Sequence, residues 1–378
     1  MKIINAKIYT MNGPVIENGF VEFNDKILSI GEMSEIKIAP QSTDLDLEGA
    51  MVFPGFIDAH THLGMLEDSL GFEGDDVNEM TSPCTPDLRA IDAVNSLDIC
   101  FEEALKAGVT TVVTGPGSAN PIAGTSLALK TYGVRVDDMV VKNPVAMKFA
   151  LGENPKTVYN DRKQAPNTRM ATAALIREQL TLARDYLEKR KKGEDVGKDV
   201  KMEALAKLFD EKLPAHFHAH RADDIFTAMR ISEEFGLKYA IIHCTQGHQI
   251  ADALSARGIE AMSGPFFTDR SKPELKSSTP ANPGILSAKG VKTAIITDHP
   301  VIPIQYLALC AGLAVREGMD YYEALKAITI NPAQICGIDD KVGSLEVGKD
   351  ADLLVFDTNP LTLQAKPLKV FIDGKLVQ

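Results

Sequence analysis

The chain carries its clearest structural signal in Pro54-Gly55-Phe56-Ile57-Asp58-Ala59-His60-Thr61-His62, where an apolar run ends in two histidines. An apolar run of this length predicts a buried strand, over residues 52–59. Side chains alternate along a strand, so residues two positions apart project to the same side and His60 and His62 can reach one ion. The segment therefore predicts a strand whose carboxyl end offers a pair of metal ligands.

Further apolar runs of strand length alternate with helical patterns through the middle of the chain, which is typical of βα units and a parallel sheet. With the first strand included, the predicted strands cover residues 52–59, 109–114, 145–150, 214–219, 239–243, 259–262 and 292–297. A barrel needs eight strands, and we expect the eighth between residues 63 and 100. The sequence thus predicts an α/β fold, a TIM-like (β/α)8 barrel over residues 51–345, with a helical insertion near 155–210.

Both ends of the chain have the pattern of short strands joined by tight turns. The strand-like runs are 8–11, 20–23 and 26–30 near the start, and 351–356 and 369–372 near the end. Asn12-Gly13, Asn24-Asp25 and Asp373-Gly374 supply the turn signals. We expect one small β-sandwich domain that is built from both termini, residues 1–50 and 346–378.

Charge and cysteine use exclude several classes of protein. The chain has 40 basic and 52 acidic residues, and its net charge of −12 repels phosphate backbones and anionic lipid surfaces. No stretch of about 18 apolar residues occurs that would predict a membrane span. We therefore expect neither nucleic-acid nor membrane partners. The cysteines are odd in number and far apart, which fits a reducing compartment and predicts a cytoplasmic protein; they are Cys84, Cys100, Cys244, Cys310 and Cys336.

Later predicted strands also end in residue types that commonly bind metals. Three imidazoles lie on one strand face in the run His216-Phe217-His218-Ala219-His220. They cannot all bind one barrel metal, and we favour His218 as the ligand. His243 and Asp298 end two further predicted strands. Each residue alone also fits a structural role, such as a hydrogen-bonded histidine or a helix-capping aspartate. Jointly, their places at the carboxyl ends of barrel strands favour an active site.

Lys148 lies within the apolar run 145–150, where a charged amine would be costly to bury. Burial lowers the pKa of a lysine, and the neutral amine can add carbon dioxide to become an anionic carbamate that bridges two metals. Alternatively, Lys148 extends toward solvent or pairs with a carboxylate such as Glu153. The sequence leaves both interpretations open.

Together these motifs resemble the amidohydrolase superfamily over nearly the whole chain. The resemblance rests on 54–62, His218, His243, Thr297-Asp298 and the run Val342-Gly343-Ser344-Leu345-Glu346-Val347-Gly348-Lys349-Asp350-Ala351-Asp352. It implies that one or two divalent metals, with zinc favoured, are held by ligands from the strand ends. Carried onto this sequence, the ligands are His60, His62, Lys148, His218, His243 and Asp298. If Lys148 is unmodified, Glu153 supplies a carboxylate or the site is mononuclear.

The resemblance implies hydrolysis of an amide, lactam or peptide-like C–N bond in a small molecule, as in the imidazolonepropionase, dipeptidase and hydantoinase branches. Asp298 is then expected to bind metal and to accept a proton from the attacking water. We expect His220, His248 and Asn120 to face the substrate. The loop after the first strand is acidic and could attract a cationic group of a substrate, although we favour a solvated acidic loop as its explanation.

Two other functions remain open. A mononuclear deaminase of a nitrogen heterocycle would usually carry a glutamate three residues after His218, where this chain has Arg221. A catalytically silent barrel scaffold would be expected to lack ligands, whereas every expected ligand position is filled here. The sequence does not distinguish a monomer from a homo-oligomer.

Overall fold

A computed structural model describes residues 1–36 and 41–378. Its strands form two hydrogen-bonded sheets, one made from the ends of the chain and one from its middle. In chain order the strands are β1 (Lys2–Ile8), β2 (Ile16–Phe23), β3 (Ile27–Glu32), β4 (Leu45–Asp46), β5 (Met51–Pro54), β6 (Phe56–Thr61), β7 (Val109–Thr114), β8 (Ile122–Lys130), β9 (Val140–Ala150), β10 (Ala215–Ala219), β11 (Tyr239–His243), β12 (Glu260–Ser263), β13 (Lys292–Ile295), β14 (Leu353–Phe356), β15 (Lys369–Ile372) and β16 (Lys375–Leu376).

The middle of the chain forms a TIM-like barrel. Strands β6 to β13 are hydrogen-bonded in sequence order, and β13 packs against β6 to bring the two edges together. The amide of His62 donates to the carbonyl of His299 at 2.9 Å across this junction. Every residue of β6, β7, β8 and β10 is buried, as expected for strands that are covered on both faces. The predicted α/β barrel is confirmed.

The eighth barrel strand is not where we expected it. Residues 63–100 contain short 3-10 turns and the start of a helix, whereas the missing strand is β8, Ile122–Lys130. β8 runs antiparallel to both β7 and β9. The physical reason is the short connection, residues 115–121, which allows a hairpin but leaves no room for the crossover helix that a parallel pair requires.

The predicted strand 52–59 is two strands that belong to different sheets. Gly55 separates them: β5 pairs with β14 in the terminal sheet, whereas β6 begins the barrel. A Cβ atom at Gly55 would lie 1.9 Å from Thr110 Oγ1, so only glycine allows the chain to pass here. The apolar run is continuous because the residues of both strands are largely buried.

Strands from both ends of the chain form the second sheet, in the order β16-β15-β14-β5-β1-β2-β3, with β4 also paired to β1. The predicted strand 8–11 is wrong, because the first strand is Lys2–Ile8 and the turn follows it. The β-sandwich stays unconfirmed, since hydrogen bonds join these strands into one sheet. The domain limits 1–50, 51–345 and 346–378 likewise stay a prediction.

Helices follow most barrel strands and cover the outside of the barrel. In chain order they are α1 (Ile99–Lys106), α2 (Val136–Met139), α3 (Glu153–Asp161), α4 (Arg169–Lys191), α5 (Val200–Asp210), α6 (Ala222–Phe235), α7 (Ala251–Ser255), α8 (Asn282–Ala288), α9 (Leu307–Arg316), α10 (Tyr321–Lys326) and α11 (Ile330–Cys336). Helices α3 to α5 lie in the region of the expected insertion. None of the helices described is long and apolar enough to cross a membrane.

Candidate active site

Histidines and one aspartate meet at the carboxyl ends of the barrel strands. His60 lies in β6, His218 in β10 and His243 in β11, and all three are buried. His62 directly follows β6, and Asp298 follows β13. The structure therefore brings together candidate ligands that are up to 238 positions apart in the chain, at the end of the barrel where α/β barrel enzymes carry their active sites.

Asp298 joins the two ends of the barrel sheet. Its Oδ1 atom lies 3.3 Å from Nε2 of His60 and 3.5 Å from Nε2 of His62. Burial by itself would raise the pKa of Asp298, but the neighbouring His243, His60 and His62 outweigh it and hold the pKa well below its usual value. Asp298 also has a φ of 56°, a left-handed conformation that is uncommon for residues other than glycine and typical of functional sites.

His243 lies at the centre of the cluster. Its ring stacks on His220 with centroids 4.3 Å apart, and the ring of His218 packs edge-on at 4.4 Å. The ring of His60 lies on another side, at 5.7 Å. Two groups of potential ligands consequently share His243: one contains His60 and Asp298, the other His218 and His220, and within each group the ligand atoms lie within 4.8 Å of one another.

Backbone carbonyls orient two of these imidazoles. Nδ1 of His62 lies 2.7 Å from the carbonyl of Gly115, and Nδ1 of His243 lies 2.7 Å from that of Gly264. A carbonyl only accepts, so each Nδ1 carries the hydrogen and each Nε2 keeps a free lone pair. Burial lowers the pKa of His60 to about 3, which keeps its ring neutral. Neutral, oriented imidazoles are the form that binds a metal.

His218 shows most directly that the cluster fits a cation. Both of its ring nitrogens are buried and lack hydrogen-bond partners in the described part of the chain. A buried polar atom without a partner is costly, and a metal ion is one partner that a neutral imidazole nitrogen accepts. With His60, His62, His243 and Asp298, the residues present form a nitrogen-rich set with a carboxylate, which suits zinc.

Lys148 is buried and faces the cluster. Its Nζ atom lies 3.1 Å from Nε2 of His60, and the side chain does not reach solvent. Burial lowers the pKa of Lys148 to about 7, although the charge of Asp298 acts in the opposite direction. The alternative pairing with Glu153 is not found, because a Glu153 carboxylate oxygen instead accepts from the amide of Glu274 at 3.3 Å.

Two acidic residues of the site were missed by the sequence analysis. Asp58 accepts from the amide of His60 at 3.2 Å and from the amide and hydroxyl of Thr297 at 3.0 and 2.6 Å. It therefore fixes the ends of β6 and β13 relative to each other, and its signal was an aspartate inside a fully apolar strand. Burial raises the pKa of Asp58 to about 7, against the effect of these hydrogen bonds.

Glu274 is the second missed residue, and it reaches the cluster from the loop after β12. Its Oε1 atom lies 3.6 Å from Nε2 of His220 and 4.0 Å from Nε2 of His218, without a hydrogen-bond partner in the described residues. Burial raises the pKa of Glu274 to about 7. No sequence signal pointed to this residue, because it is part of a polar loop without a motif.

A sequence profile described as "Amidohydrolase family" matches residues 51–377, which include the whole barrel and all of these residues. The chain belongs to the amidohydrolase family. The resemblance inferred from the motifs is therefore confirmed. The protein is a hydrolase of a family whose members act on carbon–nitrogen bonds.

This amidohydrolase is similar to several known proteins. It is 40% identical to an amidohydrolase from Thermotoga maritima MSB8, whose crystal structure matches with a TM-score of 0.95 over 100% of this chain and 99% of the other. It is 27% identical to an imidazolonepropionase from Maricaulis maris, over 91% of this chain and 88% of that one. It is 28% identical to amidohydrolase tasK from Hapsidospora irregularis over 95% of its own length, but spans only 39% of that protein.

Two of the predicted substrate-binding residues have other partners in the amidohydrolase structure. Asn120 donates to the carbonyl of Glu79 and the hydroxyl of Thr85, and its oxygen accepts from Tyr159. Both of its amide hydrogens are thus used within the loops, which favours a structural role. Nδ1 of His248 lies 3.3 Å from Asn282 Oδ1, and His248 belongs to neither group of candidate ligands.

Proposed function

We propose that this amidohydrolase is a metal-dependent enzyme that cleaves an amide, lactam or peptide-like C–N bond of a small molecule. The observation that carries the proposal is the convergence of Asp298 Oδ1 on His60 and His62 Nε2, beside the unpartnered His218. One or two divalent cations, zinc by preference, would be held by His60, His62, His218, His243 and Asp298. When bound, such a cation supplies Lewis-acid chemistry and makes water acidic enough to be a nucleophile near pH 7.

Asp298 is the proton carrier in this proposal. Its carboxylate is ionised and faces the centre of the cluster, where it accepts a proton from the attacking water. It then returns that proton to the departing nitrogen, so that the C–N bond breaks to give a neutral amine. His60 and His62 hold Asp298 in place from one side, at 3.3 and 3.5 Å.

We infer that Lys148 carries a carbamate. Nζ of the neutral amine bonds to the carbon of carbon dioxide and loses one proton, which leaves an anionic oxygen ligand. Lys148 is buried 3.1 Å from Nε2 of His60, and no carboxylate of the described residues forms an ion pair with it, which supports this modification. It places the new oxygens among the ligands rather than in solvent, and it favours two cations over one.

A similar protein and the residue at position 221 both bear on the substrate class. The Maricaulis relative is named an imidazolonepropionase, and an imidazolone ring contains a cyclic amide. Arg221 binds Asp223 through two hydrogen bonds of 2.9 and 2.8 Å, so the position that carries a glutamate in many deaminases provides no proton carrier here. Both points favour amide or lactam cleavage over deamination. A screen of N-acyl amino acids, dipeptides and cyclic amides addresses this choice.

The test of the proposed function is the substitution Asp298→Asn. We expect turnover of the best substrate in the screen to fall roughly 10²- to 10⁴-fold, the contribution of a general base, while metal analysis shows the ions largely retained. Asp252→Asn, at an exposed aspartate on α7, is the matched control and should behave as the wild type. Wild-type turnover in Asp298→Asn would show that Asp298 is not the base. Wild-type protein that binds no metal would contradict the whole proposal.

Location and assembly remain predictions. All five cysteines are buried and unpaired by disulfides, which agrees with the predicted cytoplasmic location. The nature of the partner, a small molecule, follows from the proposed chemistry. Gel filtration with light scattering distinguishes a monomer from a homo-oligomer.

A further inference from the structure

Glu274 is a buried carboxylate that the proposed chemistry does not use. It lies in the 3-10 turn Pro273–Leu275, between β12 and α8, and only 1% of it is exposed. No lysine or arginine forms an ion pair with it in the described part of the chain, and Nζ of neighbouring Lys272 donates to Asn154. An uncompensated buried carboxylate is strongly destabilising, so this position calls for a cationic partner.

A reciprocal pair of hydrogen bonds holds Glu274 in place. The amide of Glu153 donates to Glu274 Oε2 at 3.2 Å, and the amide of Glu274 donates to a Glu153 carboxylate oxygen at 3.3 Å. This clamp uses one carboxylate oxygen of Glu274 and fixes the direction of the other. The free atom, Oε1, consequently points at the histidines rather than into solvent.

The distances around Oε1 are those of ligands rather than of hydrogen bonds. Oε1 lies 3.6 Å from His220 Nε2 and 4.0 Å from His218 Nε2, whereas a direct hydrogen bond would measure about 2.7 to 3.2 Å. Two ligand atoms bonded to one tetrahedral zinc at about 2.1 Å lie about 3.4 Å apart. The corresponding distances from Asp298 Oδ1 to Nε2 of His60 and of His62 are 3.3 and 3.5 Å.

We propose that Glu274 and His220 are metal ligands, and that with His218 they form a second cation position on the far side of His243 from Asp298. The inference rests on the proposed metal-dependent function and extends its ligand set. It also assigns His220 to the metal rather than to the substrate. The second position then has a carboxylate from the loop after β12 and two imidazoles from the end of β10. His243 lies within reach of both positions, and its one free nitrogen, Nε2, can bind one of the two cations.

The experiment measures zinc affinity directly, without a substrate. The full-length protein is stripped with a chelator, and zinc is titrated back against a chromophoric competitor, with the zinc content per chain measured by mass spectrometry. We expect two ions in the wild type. In Glu274→Gln, which keeps the size and the clamp, we expect one of the two affinities to fall at least tenfold.

Glu153→Gln is the matched control, since it alters the other half of the same clamp but leaves Oε1 of Glu274 in place. It should keep both affinities. His220→Asn serves as the second variant if Glu274→Gln fails to fold, and it should weaken the same ion. Wild-type affinities and stoichiometry in folded Glu274→Gln would overturn the inference alone, whereas a wild type that binds no zinc would overturn the proposed function itself.

Discussion

Asp298, His62 and Lys148 illustrate how single residues acquire their chemistry from their surroundings. A strand-end aspartate or histidine is common, but the carbonyl of Gly115 decides which nitrogen of His62 is free. His243, His60 and His62 keep Asp298 ionised by holding its pKa well below the usual value, although the surrounding protein opposes this. Lys148 is equally dependent on context, because only its burial beside His60 separates it from an ordinary lysine.

The carbamate on Lys148 can be detected without any substrate. Wild-type protein that is equilibrated with ¹³C-bicarbonate should show a carbamate carbon resonance in ¹³C NMR, because the buried amine reacts in its neutral form. Lys148→Met should lack this resonance and bind fewer metal ions, since one anionic ligand is lost.

Lys142 offers the matched control, because it lies on the same strand. Its Nζ donates to the carbonyls of Cys336 and Gly337, each at 3.1 Å, and so it is held away from the cluster. Lys142→Met should keep the resonance. A wild-type spectrum without a carbamate signal in the presence of metal would rule out the modification and favour an unmodified lysine.

At the scale of elements, β8 shows how a connection shapes the site. The hairpin between β7 and β8 carries Gly115, whose carbonyl orients His62, and Asn120, which ties the hairpin to the loop after β6. A parallel strand here would require a crossover helix in place of this loop. The antiparallel strand therefore supplies a fixed carbonyl close to the candidate metal ligands.

Gly55 is the element-scale position where a small change should be costly. An added Cβ would lie 1.9 Å from Oγ1 and 2.8 Å from Cβ and Cγ2 of Thr110, between the terminal sheet and the barrel. We expect Gly55→Ala to lower the free energy of unfolding by about 1–3 kcal/mol, the usual range for overpacking. Urea denaturation that is followed by circular dichroism measures it.

Two further variants make this prediction specific. Thr110→Ala in the Gly55→Ala background removes two of the three contacted atoms and should recover part of the loss. Gly13→Ala, where the nearest atom is 3.8 Å away and φ is not positive, should stay close to the wild type. An unfolding midpoint of Gly55→Ala equal to that of Gly13→Ala would contradict the proposed steric restriction.

At the scale of the whole molecule, a buried charge cluster joins the barrel to the terminal sheet. Lys130 ends β8, at the end of the barrel opposite the histidines, and its Nζ lies 2.9 Å from Asp350 and 2.6 Å from Asp352. Burial alone would lower the pKa of Lys130, but these carboxylates outweigh it and raise the pKa. The cluster therefore holds a permanent positive charge between the two sheets.

We expect Lys130→Met to destabilise the protein by about 3–5 kcal/mol, because it leaves the buried Asp352 without its cation and Asp350 with Lys26 as its remaining partner. Lys292→Met is the control: it breaks a more exposed ion pair with Glu260, of 3.1 Å, and should cost less than about 1 kcal/mol. Chemical denaturation of both variants gives the comparison. Equal stability of the two would show that the cluster does not join the sheets.

Local patterns in the sequence were sufficient to predict the barrel and most candidate ligands. They also predicted that strands from both ends of the chain lie in one small unit. His60, His62, His218, His243 and Asp298 were found because strand periodicity and strand ends are local properties, which neighbouring residues specify. The strands 109–114, 239–243 and 369–372 were predicted to the residue for the same reason. The metal roles of these residues remain proposals, whereas their convergence is observed in the structure.

Only the tertiary structure decided what depends on contacts between distant segments. Asp58 meets Thr297 239 positions away, and Glu274 reaches His218 from a loop without any pattern. The burial of Lys148, which forms no ion pair within residues 1–36 and 41–378, and the reversal of β8 likewise depend on what packs around them. Hydrophobic periodicity in the sequence predicts which face of a helix or strand is buried. It does not predict which atoms pack against that face, because those atoms come from distant segments that meet only in the folded chain.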